Sequence, residues 1–209
     1  MRVSKTICVG VLVSLVPLGA TGGAAAAPLT FYFEGYVTFI HDFLDLNESL
    51  YPGAPFTGSY TFDPAGATDA SPDNPTVGYY YFGAGAHMRA QIGDYEFVTQ
   101  DLGVLIWNDR ASGDRYASVS VTPFTAAGYE WGGMSLALSD LSGMALDSDA
   151  LPLGVPDLAG FPDGTYLVIE VPWHDVGIGG RLTSLTPEPG SLALLALGAI
   201  AVCRRKEGR

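Results

Sequence analysis

The chain has 209 residues, of which 22 are acidic and only 10 are lysine or arginine, so its formal net charge at pH 7 is −12. Residues 28–189 hold 21 of the acidic residues against four arginines and no lysine, a net charge of about −17. A surface of this sign repels phosphates, which excludes a nucleic-acid partner. The two cysteines, Cys8 and Cys203, lie near the ends, which excludes a disulfide or a thiolate metal site within 28–189.

Residues 1–27 are typical of a cleavable secretory signal peptide. Two basic residues precede an apolar run over 7–18, and the small residues of 22–27 follow it. A positive start, a short apolar segment and an Ala-x-Ala-like end are the three parts of such a signal. A buried N-terminal helix is the alternative, which Pro17 disfavours. We therefore expect export, with cleavage close to Ala27.

Residues 28–184, called the body below, are predicted to form a single all-β domain. Over 29–39 apolar and polar residues alternate, which is the period of a strand with one buried face, and 56–63 repeats the pattern. Seven further strands are predicted at 86–92, 95–99, 104–108, 116–122, 134–138, 166–171 and 178–184. Nine short strands separated by turns are typical of an antiparallel β-sandwich or a jelly roll.

Turn and loop residues separate these strands. Gly93 and Asp94 are the central pair of a short hairpin, and Pro162-Asp163-Gly164 is a strong turn before a strand. Longer loops are expected over 64–76 and 139–162. The four aromatic residues at 79–82 would place alternate rings on opposite faces of an extended segment, so we expect one pair to be exposed.

The body contains no recognisable catalytic motif. Its histidines, His41, His87 and His174, stand apart from one another, and neither a Gly-x-Ser-x-Gly elbow, a His-Glu-x-x-His helix nor a phosphate-binding loop is present. Acidic residues are numerous enough to supply the carboxylate pair of a glycosidase, although nothing singles out which two. A polysaccharide-active hydrolase or lyase therefore stays open as an alternative.

The acidic loops suit calcium better than any other ligand. Asp63, Asp69 and Asp73 fall in one predicted loop, Asp109 and Asp114 in a second, and Asp140, Asp147 and Asp149 in a third. Calcium takes six to eight oxygen ligands, and flexible acidic loops can supply them. The Asp-x-Asp-x-Asp-Gly spacing is absent, so the alternative is that these carboxylates are simply solvated. Calcium is thus the one cofactor we consider.

Aromatic side chains give a second hint of a ligand. Trp107, Trp131 and Trp173 could supply a flat surface on which sugar rings stack. Core packing is the alternative, because it accounts for most aromatic residues of a β-sandwich.

The last 25 residues, 185–209, have three distinct parts. The first is an extended, rigid tripeptide, because the residue before a proline avoids the helical conformation. An apolar segment follows at 190–203 and is predicted to be a single membrane helix, although it is shorter than the roughly 20 residues of a typical span. The third part is basic and predicts a cytoplasmic C-terminus. The tripeptide is Pro187, Glu188 and Pro189, and the basic stop is Arg204, Arg205 and Lys206.

This order of parts resembles the PEP-CTERM sorting signal of exported bacterial proteins. The resemblance implies that an exosortase, a membrane enzyme, recognises Pro187, Glu188 and Pro189 and processes the protein. It further implies transient anchoring in the membrane through the tail, release to the cell surface or extracellular matrix, and exopolysaccharide as a possible partner. A permanently retained tail anchor and an ordinary buried C-terminal helix are the alternatives.

The function that we predict is therefore a structural or adhesive one, without enzymatic activity, outside the cell. A glycan-binding module for exopolysaccharide is the first alternative, and the hydrolase or lyase is the second.

Overall fold

The computed structural model describes residues 27–41, 48–120, 122–172 and 176–188. The predicted signal peptide, except for its last residue, Ala27, and the predicted membrane helix lie outside these ranges. Within them the chain forms thirteen strands and two single 3₁₀ turns, Pro64–Gly66 and Leu158–Gly160, and no α-helix. None of the described residues belongs to a helix that could cross a membrane.

The strands cover most of the described chain. In chain order they are β1 Leu29–Ile40, β2 Pro55–Phe62, β3 Thr68–Asp69, β4 Val77–Tyr81, β5 His87–Ile92, β6 Tyr95–Thr99, β7 Gly103–Arg110, β8 Gly113–Val119, β9 Phe124–Ala126, β10 Tyr129–Trp131, β11 Gly133–Asp140, β12 Gly164–Glu170 and β13 Val176–Pro187. All nine strands predicted from alternation are present. The predicted all-β class is confirmed.

Eleven of the strands form one continuous antiparallel sheet in the order β3-β4-β7-β8-β11-β12-β13-β1-β2-β5-β6, and β9 and β10 form a separate hairpin. The sandwich prediction expects two separate sheets. The structure instead has a single sheet that curls over its own apolar face. The large buried side chains fall at alternate positions of most strands, so they share one face of the sheet, and bending the sheet onto itself buries that face.

Contacts between distant strands show the curl directly. The hydroxyl groups of Tyr60 on β2 and Tyr116 on β8 lie 3.0 Å apart, although four strands separate β2 from β8 in the sheet order. At one edge, the ring of Phe97 on β6 packs edge-on against Trp131 of the small hairpin, with 5.3 Å between ring centroids. The core is therefore continuous through the inside of the curled sheet.

The aromatic run at 79–82 follows the predicted alternation. Tyr79 and Tyr81 lie on one face of β4 and pack against each other, with 4.4 Å between ring centroids. Tyr80 turns the other way, packs against the core and donates its hydroxyl hydrogen to the carbonyl of Asp149. Tyr81 is the exposed member of the outer pair.

Candidate functional site at the end of the last strand

The predicted sorting residues begin where the folded sheet ends. Pro187 is the last residue of β13, and Glu188 is the last residue that the structure describes. The other predicted tail residues, Pro189, Arg204, Arg205 and Lys206, lie outside the described residues. The last strand thus continues three residues beyond position 184, where the sequence places the end of the body.

The strand that leads into these residues is an interior strand of the sheet. β13 pairs with β12 on one side and with β1 on the other. Leu182 and Leu185 of this strand are buried, and both belong to the core. The segment before the tripeptide is therefore held by two neighbouring strands and by apolar packing.

The pairing register explains how a proline fits at the end of this strand. Glu188 donates its backbone N–H to the carbonyl of Thr30 at 2.9 Å, and Pro187 pairs with Phe31. Hydrogen-bonded and non-hydrogen-bonded pairs alternate in an antiparallel ladder, so the nitrogen of Pro187 points away from β1. On that other side β12 has already ended, since its pairing with β13 runs only between Arg181 and Val176. The missing N–H of proline therefore costs no ladder hydrogen bond.

Two glycines let β1 and β13 lie close together over one aromatic ring. The ring of Phe56 on β2 lies against Gly35 of β1 and Gly180 of β13, and a Cβ atom at either glycine would overlap it. Both glycines lack a left-handed φ angle, so space and not backbone conformation requires glycine here. The ring fills the volume that two side chains would otherwise occupy.

The two ends of the body lie side by side. β1 begins at Leu29, which pairs with Phe62, and its third residue pairs with Pro187 at the end of β13. We call this edge, where β1 begins and β13 ends, the junction end. The chain segments that precede residue 27 and follow residue 188 consequently start from adjacent strands at the junction end.

Two of the three predicted calcium ligands of the first loop stabilise turns. Asp63 accepts the backbone N–H of Ala65 at 2.9 Å, which caps the first 3₁₀ turn. Asp69 accepts the N–H groups of Ser71, at 2.8 Å, and Tyr79, at 3.2 Å. The third residue, Asp73, is exposed. Carboxylates in these positions replace missing backbone acceptors.

The second and third acidic loops meet through two buried carboxylates. Asp114 of β8 and Asp140 of β11 are cross-strand partners, and each is almost fully buried. Asp114 accepts the N–H groups of Asp109, at 2.9 Å, and Leu146, at 2.8 Å. Asp140 accepts from Ser142 and Met144, and the hydrogen bond from the Ser142 hydroxyl is the main cause that holds the pKa of Asp140 below its usual value. The pair fastens the long 139–162 loop to the sheet.

The described residues do not bring the acids together as a metal site. Within the described ranges no group of three or more histidine, cysteine, aspartate or glutamate side chains could hold an ion. Calcium binding therefore stays a prediction, and backbone N–H groups are the observed partners of Asp63, Asp69 and Asp114.

The remaining predicted residues are scattered. His41 follows the end of β1, His87 begins β5 and contacts the carbonyl of Gly85 at 2.8 Å, and His174 lies outside the described residues. Trp131 is fully buried and donates its ring N–H to the carbonyl of Ala126, so the stacking role suggested for it is wrong and the core alternative holds. The ring centroid of Trp107 lies 5.0 Å from the guanidinium carbon of Arg110 and 5.2 Å from that of Arg115. Trp173 lies outside the described residues.

A cleft of about 280 Å³ lies on the outer face of β1, β2 and β5. Tyr32 forms one wall, Arg89 and Gln91 form the other, and Ser59 forms the floor. Alternation along the chain does not reveal such a feature, because it arises only when the pairing register brings three strands side by side.

Comparison with known proteins identifies the tail. Residues 185–207 match the family model of the PEP-CTERM protein-sorting motif. No curated protein and no solved structure matches the chain. The predicted resemblance is confirmed, and the motif implies export, processing by an exosortase at the membrane and subsequent surface location.

Proposed function

We propose that this exported protein, which carries a PEP-CTERM sorting motif, is delivered by an exosortase to the cell surface, where its body has a structural or adhesive role without enzymatic activity. The observation that carries the proposal is the motif match at 185–207, which begins within the last strand of the folded body. The tail then directs the sorting, and the body is the part of the protein that is delivered.

We expect the junction end to be the end of the body that faces the membrane. The apolar segment begins at position 190, two residues beyond Glu188, whose N–H is bonded to Thr30. A fully extended chain spans at most about 3.5 Å per residue, so two residues allow roughly 7 Å between the sheet and the apolar segment. A membrane enzyme that acts on Pro187, Glu188 and Pro189 would therefore work close against the junction end.

A structural or adhesive role is supported by what the acidic side chains do. The buried carboxylates Asp114 and Asp140 accept backbone N–H groups and hold a loop, which is a stabilising use of charge. A general acid–base pair for hydrolysis needs carboxylates that face a substrate, and these two do not lie in the cleft on the outer face. The positions of Asp114 and Asp140 therefore support a stabilising role for these two carboxylates.

The proposal is tested by the intact mass and location of the full chain in a host with an exosortase and in the same host without it. We expect a mature chain that starts near residue 28 and ends near Pro187–Pro189 in the surface fraction of the first host only. Replacing Pro187, Glu188 and Pro189 together by alanine should abolish this processing.

The matched control replaces Pro72 and Asp73, an exposed proline and acid in a loop of the body, by alanine. This variant should be processed normally. A chain that still ends at Arg209 in the presence of the exosortase, or equal surface delivery of the tail variant, would contradict the proposal.

A further inference from the structure

We propose that the cleft between Tyr32 and Arg89 binds a hexose unit of a neutral polysaccharide. The inference rests on the proposed function, because it names the kind of partner that an adhesive body outside the cell would hold. Its evidence is the geometry of the outer face and the charge of the body, and it does not depend on the sorting motif.

The cleft is built by the pairing register. Tyr32 of β1 pairs with Ser59 of β2, and Ser59 pairs with Arg89 of β5, so a small residue lies between two long ones in a single cross-strand row. Neighbouring strands are about 4.8 Å apart, which separates the Tyr32 and Arg89 backbones by roughly 9.6 Å. Ser59 is itself covered by its neighbours and forms a floor.

These dimensions suit a single sugar ring. A ring in van der Waals contact with the Tyr32 side chain lies roughly 4 Å from it, which leaves roughly 5–6 Å to the opposite wall. Side chains on that wall can close this distance with hydrogen bonds of about 2.9 Å to the hydroxyl groups of the sugar. The volume of about 280 Å³ agrees with one ring and is too small for a large cofactor.

The polar wall offers both donors and acceptors. Arg89 and Glu96 are more than half exposed, and their charged groups are 3.9 Å apart, so both keep bonding capacity for a ligand. Gln91 donates its side-chain N–H to the carbonyl of Gly93 at 2.7 Å, which orders the amide group at the cleft. Adjacent sugar hydroxyl groups need one donor and one acceptor each, which an arginine–glutamate pair provides.

The charge of the cleft and of the body favours a neutral ligand. Glu96 offsets Arg89 within the cleft, and the region 28–189 carries a net charge of about −17 that would repel a polyanion. Stacking on Tyr32 and hydrogen bonds to hydroxyl groups do not depend on ligand charge.

The same face continues toward a second aromatic row, which favours a polymer over a free sugar. Tyr36 lies four residues from Tyr32 on the outer side of β1, roughly 13 Å along the strand. Arg181 of β13 pairs with Tyr36 on one side and with Tyr166 of β12 on the other. All three tyrosines are more than one third exposed, so a chain of sugars can reach both places.

The test is affinity electrophoresis of the full chain, purified in detergent, through gels that contain hydroxyethyl cellulose, dextran or alginate. We expect retardation by at least one neutral polymer and none by the anionic alginate. Tyr32→Ala and Arg89→Ala should each weaken binding roughly tenfold, the size of one aromatic or charge-assisted contact, and Tyr32→Phe should bind nearly as well as the parent chain.

Tyr51→Ala is the matched control, since Tyr51 is exposed but lies outside the cleft. It should leave retardation unchanged. Near-ultraviolet circular dichroism checks the fold of each variant, and Gln91→Ala serves as a second cleft variant if Tyr32→Ala fails to fold. Absence of retardation by every neutral polymer, retardation by alginate alone, or full binding by the cleft variants would each overturn the inference.

The intact mass of the same preparations separates this inference from the proposed function. Normal processing without glycan binding would refute the cleft alone. Glycan binding by a chain that is never processed would refute the sorting role alone.

Discussion

Substituting Gly180 by alanine tests whether the Phe56 ring fills the space beside β1 and β13 that a Cβ atom would need. The new Cβ atom would overlap the Phe56 ring, while the backbone of Gly180 is one that alanine can adopt. Adding a methyl group to a filled core costs about 1–3 kcal/mol, and replacing glycine returns about 0.4–1 kcal/mol by restricting the unfolded chain. The overlap is the larger effect, so we expect the free energy of unfolding to fall by roughly 1–2 kcal/mol.

Urea denaturation, followed by the fluorescence of tryptophan, measures this loss. If the ring causes it, Phe56→Leu should relieve the overlap, and the double variant should be more stable than the sum of the single effects by about 1 kcal/mol. Gly66→Ala is the control, because a Cβ atom there contacts nothing, and its stability should stay within about 0.5 kcal/mol. A Gly180→Ala protein as stable as the parent, or strictly additive effects with Phe56→Leu, would refute the reasoning.

Three further outcomes are expected. Burial raises the pKa of Tyr60 and Tyr116 above that of unfolded tyrosine. The free energy of unfolding should therefore fall above about pH 10, by up to about 1.4 kcal/mol per pH unit for each tyrosine. Absorbance at alkaline pH and circular dichroism should show a shallower fall when both tyrosines are replaced by phenylalanine. Asp114→Asn should lower the free energy of unfolding by roughly 1–3 kcal/mol, and Asp73→Asn should not change it, in urea denaturation. Millimolar calcium should leave the calorimetric melting temperature unchanged, since backbone N–H groups already bind the carboxylates of Asp69 and Asp114; a rise would show that calcium binds, as the sequence predicts.

Period-2 alternation predicts strands where polar and apolar residues differ, and it fails where they do not. β4 has three tyrosines in succession, so its two faces look alike in sequence although Tyr80 turns inward and Tyr81 outward. β9 and β10 have three residues each, which is too short for a period to be recognised. The nine longer predicted strands carry the signal and are found.

The alternation of polar and apolar residues does not predict the order of the strands or the curl of the sheet. β13 pairs with β1, which comes from the opposite end of the body. β4 pairs with β7, although β5 and β6 lie between them in the sequence. The curl is equally non-local, since the contact between Tyr60 and Tyr116 joins β2 to β8, which are not neighbours in the sheet. A local pattern identifies a face to be buried and not the partner that buries it.

The sorting motif and the cleft also differ in how well the sequence predicts them. The sorting motif is contiguous, so Pro187, Glu188 and Pro189 could be recognised from the sequence. The cleft joins Tyr32 to Arg89 through the register of three strands, and no short stretch of sequence contains both. The calcium prediction stays untested; it rests on the number of carboxylates in the loops, and the sequence alone does not show which N–H groups those carboxylates accept.

The position of the junction explains why tail processing and body stability can be independent. Among the described residues, Leu185 is the last with a buried side chain. Beyond it, Thr186 and Pro187 still pair with Tyr32 and Phe31 of β1, and Glu188 donates its N–H to Thr30. Cleavage after Pro189 would leave every core residue and this hydrogen bond in place, whereas cleavage before Pro187 would remove only one exposed-edge contact worth about 1 kcal/mol. An enzyme that acts on the motif can therefore pull these last residues from β1 without unfolding the sheet, because the apolar packing that holds β13 ends at Leu185.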